Sequence, residues 1–221
     1  LPDLKLTAGH SQASGGGGVN GDAVPMLGGA AFSGEAVVVA DGASPHGLAA
    51  MLFAALPAAI RRRLSVSAGL KFALSRRIQF SFVGPDAGET QRALRGQSIK
   101  WIDLSKGAGG GAGGSALPEG WFKFALGRLS AGRHVELATL TAEMLEDAPP
   151  EFLERVAALC QDLDAVPTAN GETLKRLGAR WGTLSAGSGV MSRLLREFQK
   201  ARDVRLEQLN AEAARETTAG V

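Results

Sequence analysis

Apolar and polar positions change their spacing along this chain, and the changes divide it. Residues 1–34 carry little pattern. "KLTA" fits a short strand, "SGGGGVNGD" at 14–22 is a loop by composition, and "AVPMLGGAAFSG" adds some apolar packing without a clear period. "EAVVVA" at 35–40 is the first clear strand. From Pro45 to about Arg63 the spacing becomes helical, with Leu48, Met51, Leu52, Ala55 and Leu56 on one face. Pro57 lacks an amide donor and crowds the preceding turn, so the helix is expected to break there and restart over "PAAIRRRL". "SVSA" at 65–68, "RIQFSFV" at 77–83 and "IKWIDL" at 99–104 read as strands. In the second of these, Ile78, Phe80 and Phe82 alternate with Arg77, Gln79 and Ser81, the pattern of a strand buried on one face. "GPDAGETQRALRG" reads as a turn and a short helix.

Past a glycine-rich segment the period is helical throughout. "GWFKFALGRL" and "RHVELATLTAEMLED" predict two helices, and Pro149 and Pro150 open a third. On that third helix Phe152, Val156, Leu159 and Leu163 share a face. Leu174, Leu177 and Trp181 mark a fourth, begun near Thr168 or Asn170. Met191, Leu194, Leu195, Phe198 and Ala201 stripe the last, with fraying expected beyond Leu209. The fold class expected is therefore a mixed α/β (α+β) N-terminal domain with a short sheet over 1–106, a Gly-rich linker at 107–118, and an all-α helical domain or subdomain over 119–221.

Composition narrows the function classes. The 221 residues carry 24 Lys and Arg against 22 Asp and Glu, a net charge of +2 that supports nucleic-acid binding only if concentrated. The single cysteine, Cys160, forms no internal disulfide and fits a reducing, cytoplasmic setting. With three scattered histidines it supplies no zinc set, so no cofactor or metal is expected. No apolar run reaches the roughly 18 residues of a membrane span. The chain starts at Leu1 without a signal-peptide pattern and reads as a piece of a longer protein.

Two stretches carry candidate chemistry. In "VVVADGASPHGL" Asp41 follows a strand, where open α/β sheets place functional acids. "VVVADG" resembles the "VxDG" segment of metal-dependent serine/threonine phosphatases, whose Asp and Gly bind a divalent cation; the resemblance implies a metal-dependent or other phosphate-site enzyme using Asp41. That family's second Gly and further acidic motifs are missing, and a hard cation needs several oxygen ligands. The simpler reading makes Asp41-Gly42 a turn and Ser44 the cap of a helix begun at Pro45. The second stretch is basic: Arg61, Arg62, Arg63, Lys71, Arg76 and Arg77 lie within 17 residues with no acid among them. It fits a solvated face, a surface for an acidic protein, or a nucleic-acid patch over Arg61–Arg77, the last weakened by few interleaved aromatics.

The segment "LPAAIRRRLSVSAGLKFALSRRIQFSFVG" at 56–84 resembles the "LP…R…LSFSTGL…S…RPF" pattern in the middle domain of bacterial GTPase-associated proteins. The matching positions are Leu56, Pro57, Arg61, Leu64, Ser65, Ser67, Gly69, Leu70, Ser75, Arg76 and Phe80. That resemblance, over residues 34–104, implies an adaptor or scaffold working beside a GTPase or other domains of its own chain, with no catalytic residues. The expectation is thus a cytoplasmic, non-enzymatic protein-interaction module of a bacterial multidomain protein, with Arg61, Arg62, Arg63, Arg76 and Arg77 as partner-binding residues.

Overall fold

The computed structural model describes residues 23–40, 45–68, 72–84, 88–104, 118–146, 148–182 and 189–219. Its first element is a helix, α1 (Ala23–Ser33), where the sequence shows no period. Small residues and a glycine pair hide it from pattern reading, but tertiary contact explains it. A Cβ on Gly28 would overlap the Phe122 ring, so only glycine lets that ring lie against the α1 backbone. Gly34 (φ +73°) ends the helix: Glu35 N–H reaches back to the Ala30 carbonyl at 3.2 Å, closing the C-terminus before β1.

β1 (Val37–Ala40), β2 (Val66–Ala68), β3 (Phe80–Val83) and β4 (Lys100–Asp103) form one parallel sheet in the order β2-β3-β1-β4. Val37 stands opposite both Phe80 and Lys100, and Phe80 opposite Val66. The sheet accounts for a difference from expectation. All four β3 residues are buried, Ser81 included, because parallel strands are covered on both faces. The predicted alternation over 77–83 therefore reflects the approach to the strand more than the strand itself.

β1 is joined to β2 through α2 (Pro45–Ala55) and α3 (Ala58–Arg61), with Pro57 in the break between them. β3 reaches β4 through α4 (Gly88–Ala93). The first connection runs toward one sheet edge, and the next two return toward the other. Right-handed crossovers of opposite direction cover opposite faces, and the cores sort accordingly. Val37, Val39, Phe80, Phe82 and Ile102 pack with α1 and α2, while Val38, Ala40 and Val83 pack with Leu94 and Phe72.

The helical half joins the first of these faces. α5 (Glu119–Ser130) lies on α1 and α2; fully buried Trp121 donates from Nε1 to the Ala55 carbonyl at 2.8 Å. The amide of Gly120 at the start of α5 is capped from outside by Glu154 Oε1, 2.8 Å away. Glu154 belongs to α7 (Pro150–Ala165), whose opening prolines are well placed in a first turn. α6 (His134–Ala142) packs on α2. A short 3-10 turn (Val166–Thr168) leads to α8 (Gly171–Trp181), where Asn170 Oδ1 caps the Thr173 amide at 2.9 Å. α9 (Val190–Ala219) closes the fold on α7 and α8. It runs ten residues past Leu209, where fraying was expected; good helix formers and an Arg205–Glu212 pair at 3.3 Å extend it. The buried apolar cluster is continuous from Val37 and Phe80 through Trp121 to Leu153 and Phe198.

Candidate functional site

Parallel register gathers the approaches to all four strands at one edge of the sheet. Ser65 ties two of them together: its Oγ accepts the Gln79 amide at 2.8 Å and its carbonyl accepts the Phe80 amide at 3.0 Å. The Val37 amide donates to the Gln79 carbonyl at 2.7 Å, and the Lys100 amide to the Ala36 carbonyl at 2.9 Å. The arginines of 61–63 and of 76–77, twelve or more residues apart in sequence, therefore flank neighbouring strand starts. Arg62, Arg63, Arg76 and Arg77 are exposed. Lys71 lies outside the described residues.

Arg61 stands apart from that group. It ends α3 half-buried, with Nη2 3.5 Å from Thr141 Oγ1 on α6. Burial, and secondarily Arg62, pushes its pKa down. Beside it the Ala59 amide donates to the Met144 carbonyl at 3.0 Å, so Arg61 sits at the seam between α3 and the segment after α6.

Two cations not singled out in the sequence join the edge from the β4 side, exposed Arg95 and half-buried Lys100. Against them stands Glu35, exposed in the approach to β1. Between Asp41 and Asp86 the sequence holds no carboxylate at all. Arg62, Arg76, Arg77 and Arg95 make no ion pair among the described residues. The signal that would have found Arg95 and Lys100 is register, which only the paired sheet supplies.

This edge lies at the N-terminal ends of the strands. Ligand crevices of open α/β sheets form at the C-terminal ends, the side toward which Asp41 follows β1. Asp41 and Ser44 lie outside the described residues. Among the described residues no group of three or more His, Cys, Asp or Glu is placed to hold a metal ion. His46 and His134 are exposed at the starts of α2 and α6.

A cleft of about 320 Å³ opens between α5, α6, α7 and α9, and its charges satisfy one another. Arg128, buried over the Phe124 ring at 4.9 Å, binds Asp164 at 2.5 Å and Glu136 at 3.1 Å. Gly132 (φ +72°) turns the chain after α5, and the Arg133 amide closes onto the Arg128 carbonyl at 2.8 Å. That turn sets Arg133 against the same two acids, at 2.6 Å from Glu136 and 3.3 Å from Asp164. The hydrogen bond from Arg133 lowers the Glu136 pKa and raises that of Arg133. Arg193 spans Glu143 and Glu197 at 2.9 and 2.8 Å. Three arginines against three acids in the lining leave little net field for a charged ligand.

Cys160 faces this cleft from α7 but is buried, and burial foremost, then Asp164, pushes its thiol up to about 12. The thiolate is the reactive form, so labelling by an aromatic disulfide reagent at pH 8 should be at least tenfold slower in the native protein than in denaturant. Because the folded thiol keeps its proton above the usual value of 9.0, its contribution to stability is full below pH 9 and declines as pH rises toward 12. Equal labelling rates in the native and denatured protein would contradict this placement.

Comparison with known protein families, curated proteins and solved structures gave no match. Among the described residues no helix is long and apolar enough to cross a membrane.

Proposed function

We propose that this chain is a non-enzymatic interaction module, an adaptor or scaffold part of a larger cytoplasmic bacterial protein. It docks an acidic protein surface on the basic edge of its sheet. The observation that carries this reading is that Arg62, Arg63, Arg76 and Arg77 are exposed on the approaches to the paired strands β2 and β3, with Lys100 at the start of β4. Arginine suits such a role because its fork pairs with carboxylates while its stem covers apolar surface. The resemblance of residues 56–84 to GTPase-associated proteins points to a GTPase, or a further domain of the same chain, as the partner.

Capture experiments with nuclease-treated lysate test the reading. R62E/R76E/R77E should lower recovery of the main partner about 10- to 100-fold. Each exposed pair is worth roughly 0.2–1 kcal/mol, and reversal turns attraction into repulsion. A nucleic-acid module would instead bind duplex or single-stranded probes with an affinity falling by orders of magnitude between low and moderate salt. That outcome, with no protein captured, would replace the adaptor reading.

A further inference from the structure

The cleft between α5, α6, α7 and α9 is built wholly from the helical half and takes no part in the basic edge. Its inner wall is apolar: Phe124 on α5, Leu137 and Leu140 on α6 and Leu194 on α9 line it and are buried. At its mouth Val135 and Thr139, one turn apart on α6, are exposed, Val135 by 76%. The volume of about 320 Å³ is roughly twice the ~150 Å³ of an apolar protein cavity that holds benzene. The charged part of the lining is closed on itself. Arg128 and Arg133 share Glu136 and Asp164, and Arg193 takes Glu197. An entering anion would have to displace a carboxylate already held against its arginine, and an entering cation the reverse, with a desolvation cost in either case. Thr139 adds one polar feature: its Oγ1 donates to the Val135 carbonyl at 2.9 Å, so toward a ligand that oxygen can only accept.

We infer that this cleft binds an uncharged small amphiphile, its apolar body of about eight to ten carbons or two aromatic rings seated on Phe124, Leu137, Leu140 and Leu194, and its O–H or N–H donor turned to Thr139. Size follows from the volume, neutrality from the paired charges, and the donor from the Thr139 hydroxyl. Ligand pockets commonly have this make-up, an apolar wall that supplies affinity and a few polar atoms that fix orientation. The site stands apart from the adaptor reading, and neither depends on the other.

The test uses the whole chain and N-phenyl-1-naphthylamine, an uncharged aromatic amine whose emission rises in apolar surroundings. It should bind saturably, one dye per chain, with half-saturation near or below about 100 µM. 1-Octanol should displace it, and octanoate and octylammonium should be weaker competitors by about tenfold or more. T139W, which fills the mouth, and V135D, which charges it, should each weaken dye binding about fivefold or more. Both positions are exposed, so the circular dichroism should not change. L74S removes an exposed leucine outside the cleft and should bind the dye as the wild type does. Saturating octanol should slow labelling of Cys160, which lines the cleft, about threefold or more in the wild type and not in T139W. No saturable binding, equal binding by the wild type, T139W and V135D, or loss of binding in L74S would overturn the inference. Octanoate displacing the dye as well as octanol does would refute the neutral ligand. R62E/R76E/R77E should bind the dye normally, so dye binding and partner capture succeed or fail separately.

Discussion

Replacing Trp121 with alanine should destabilise the protein by about 3–5 kcal/mol, the range for truncating a large buried aromatic side chain. The ring is fully buried and lies 5.7 Å from that of Phe124. Its loss also strips the Ala55 carbonyl of the Nε1 donor 2.8 Å away, leaving an acceptor at the end of α2 in an apolar setting. For a chain of this size the midpoint of thermal unfolding should fall by roughly 10 °C. Position matters as much as size. Trp121 stands where the helical half meets the layer over the sheet, within a buried cluster running from Val37 to Phe198. Far-ultraviolet circular dichroism and the fluorescence of Trp181 should therefore shift together in denaturant. A loss under 1 kcal/mol, or two separated transitions in the wild type, would contradict a shared core.

Gly28→Ala should be the next most damaging of the changes considered, although alanine favours a helix by about 1 kcal/mol. The added Cβ would overlap Phe122 Cζ and Cε2 and sit 2.6 Å from Cε1. Phe122 is fully buried, and its ring is held edge-on to Phe32 at 6.5 Å. The ring or one of the helices has to shift in a close-packed interior, at about 1–3 kcal/mol. Because the steric term exceeds the propensity gain, the net sign is destabilising. Phe122→Leu removes the far end of the ring, so the double variant should be more stable than the sum of the single effects requires, by about 1 kcal/mol in a double-mutant cycle. Strict additivity would mean that α1 and α5 do not pack through this contact.

These two sites mark the limits of what the sequence makes legible. The strands at 37–40, 66–68, 80–83 and 100–103 and the break at Pro57 are written in local pattern, and each element forms near its expected place. The helices opened by Pro150 and capped by Asn170 are equally local in origin. α1 is not, because its stability comes from a glycine pressed against a phenylalanine more than ninety residues away. Burial of Ser81 is likewise a property of the assembled parallel sheet. The candidate site divides in the same way. The charge run from Arg61 to Arg77 is visible in the chain, whereas the addition of Arg95 and Lys100 depends on β4 pairing with β1. The turn of Arg61 toward Thr141 depends on α6 packing beside α3.

The most direct comparison sets three proteins side by side in one capture experiment, the wild type, D41A and R62E/R76E/R77E, with folding checked by thermal unfolding and divalent-metal binding measured by calorimetry. D41A should retain the partner at the wild-type level and the arginine variant should lose it about tenfold or more, with all three equally folded. Loss of divalent-metal binding in D41A, with capture unchanged in the arginine variant, would contradict docking on the basic edge and return the function to the acid at the end of β1.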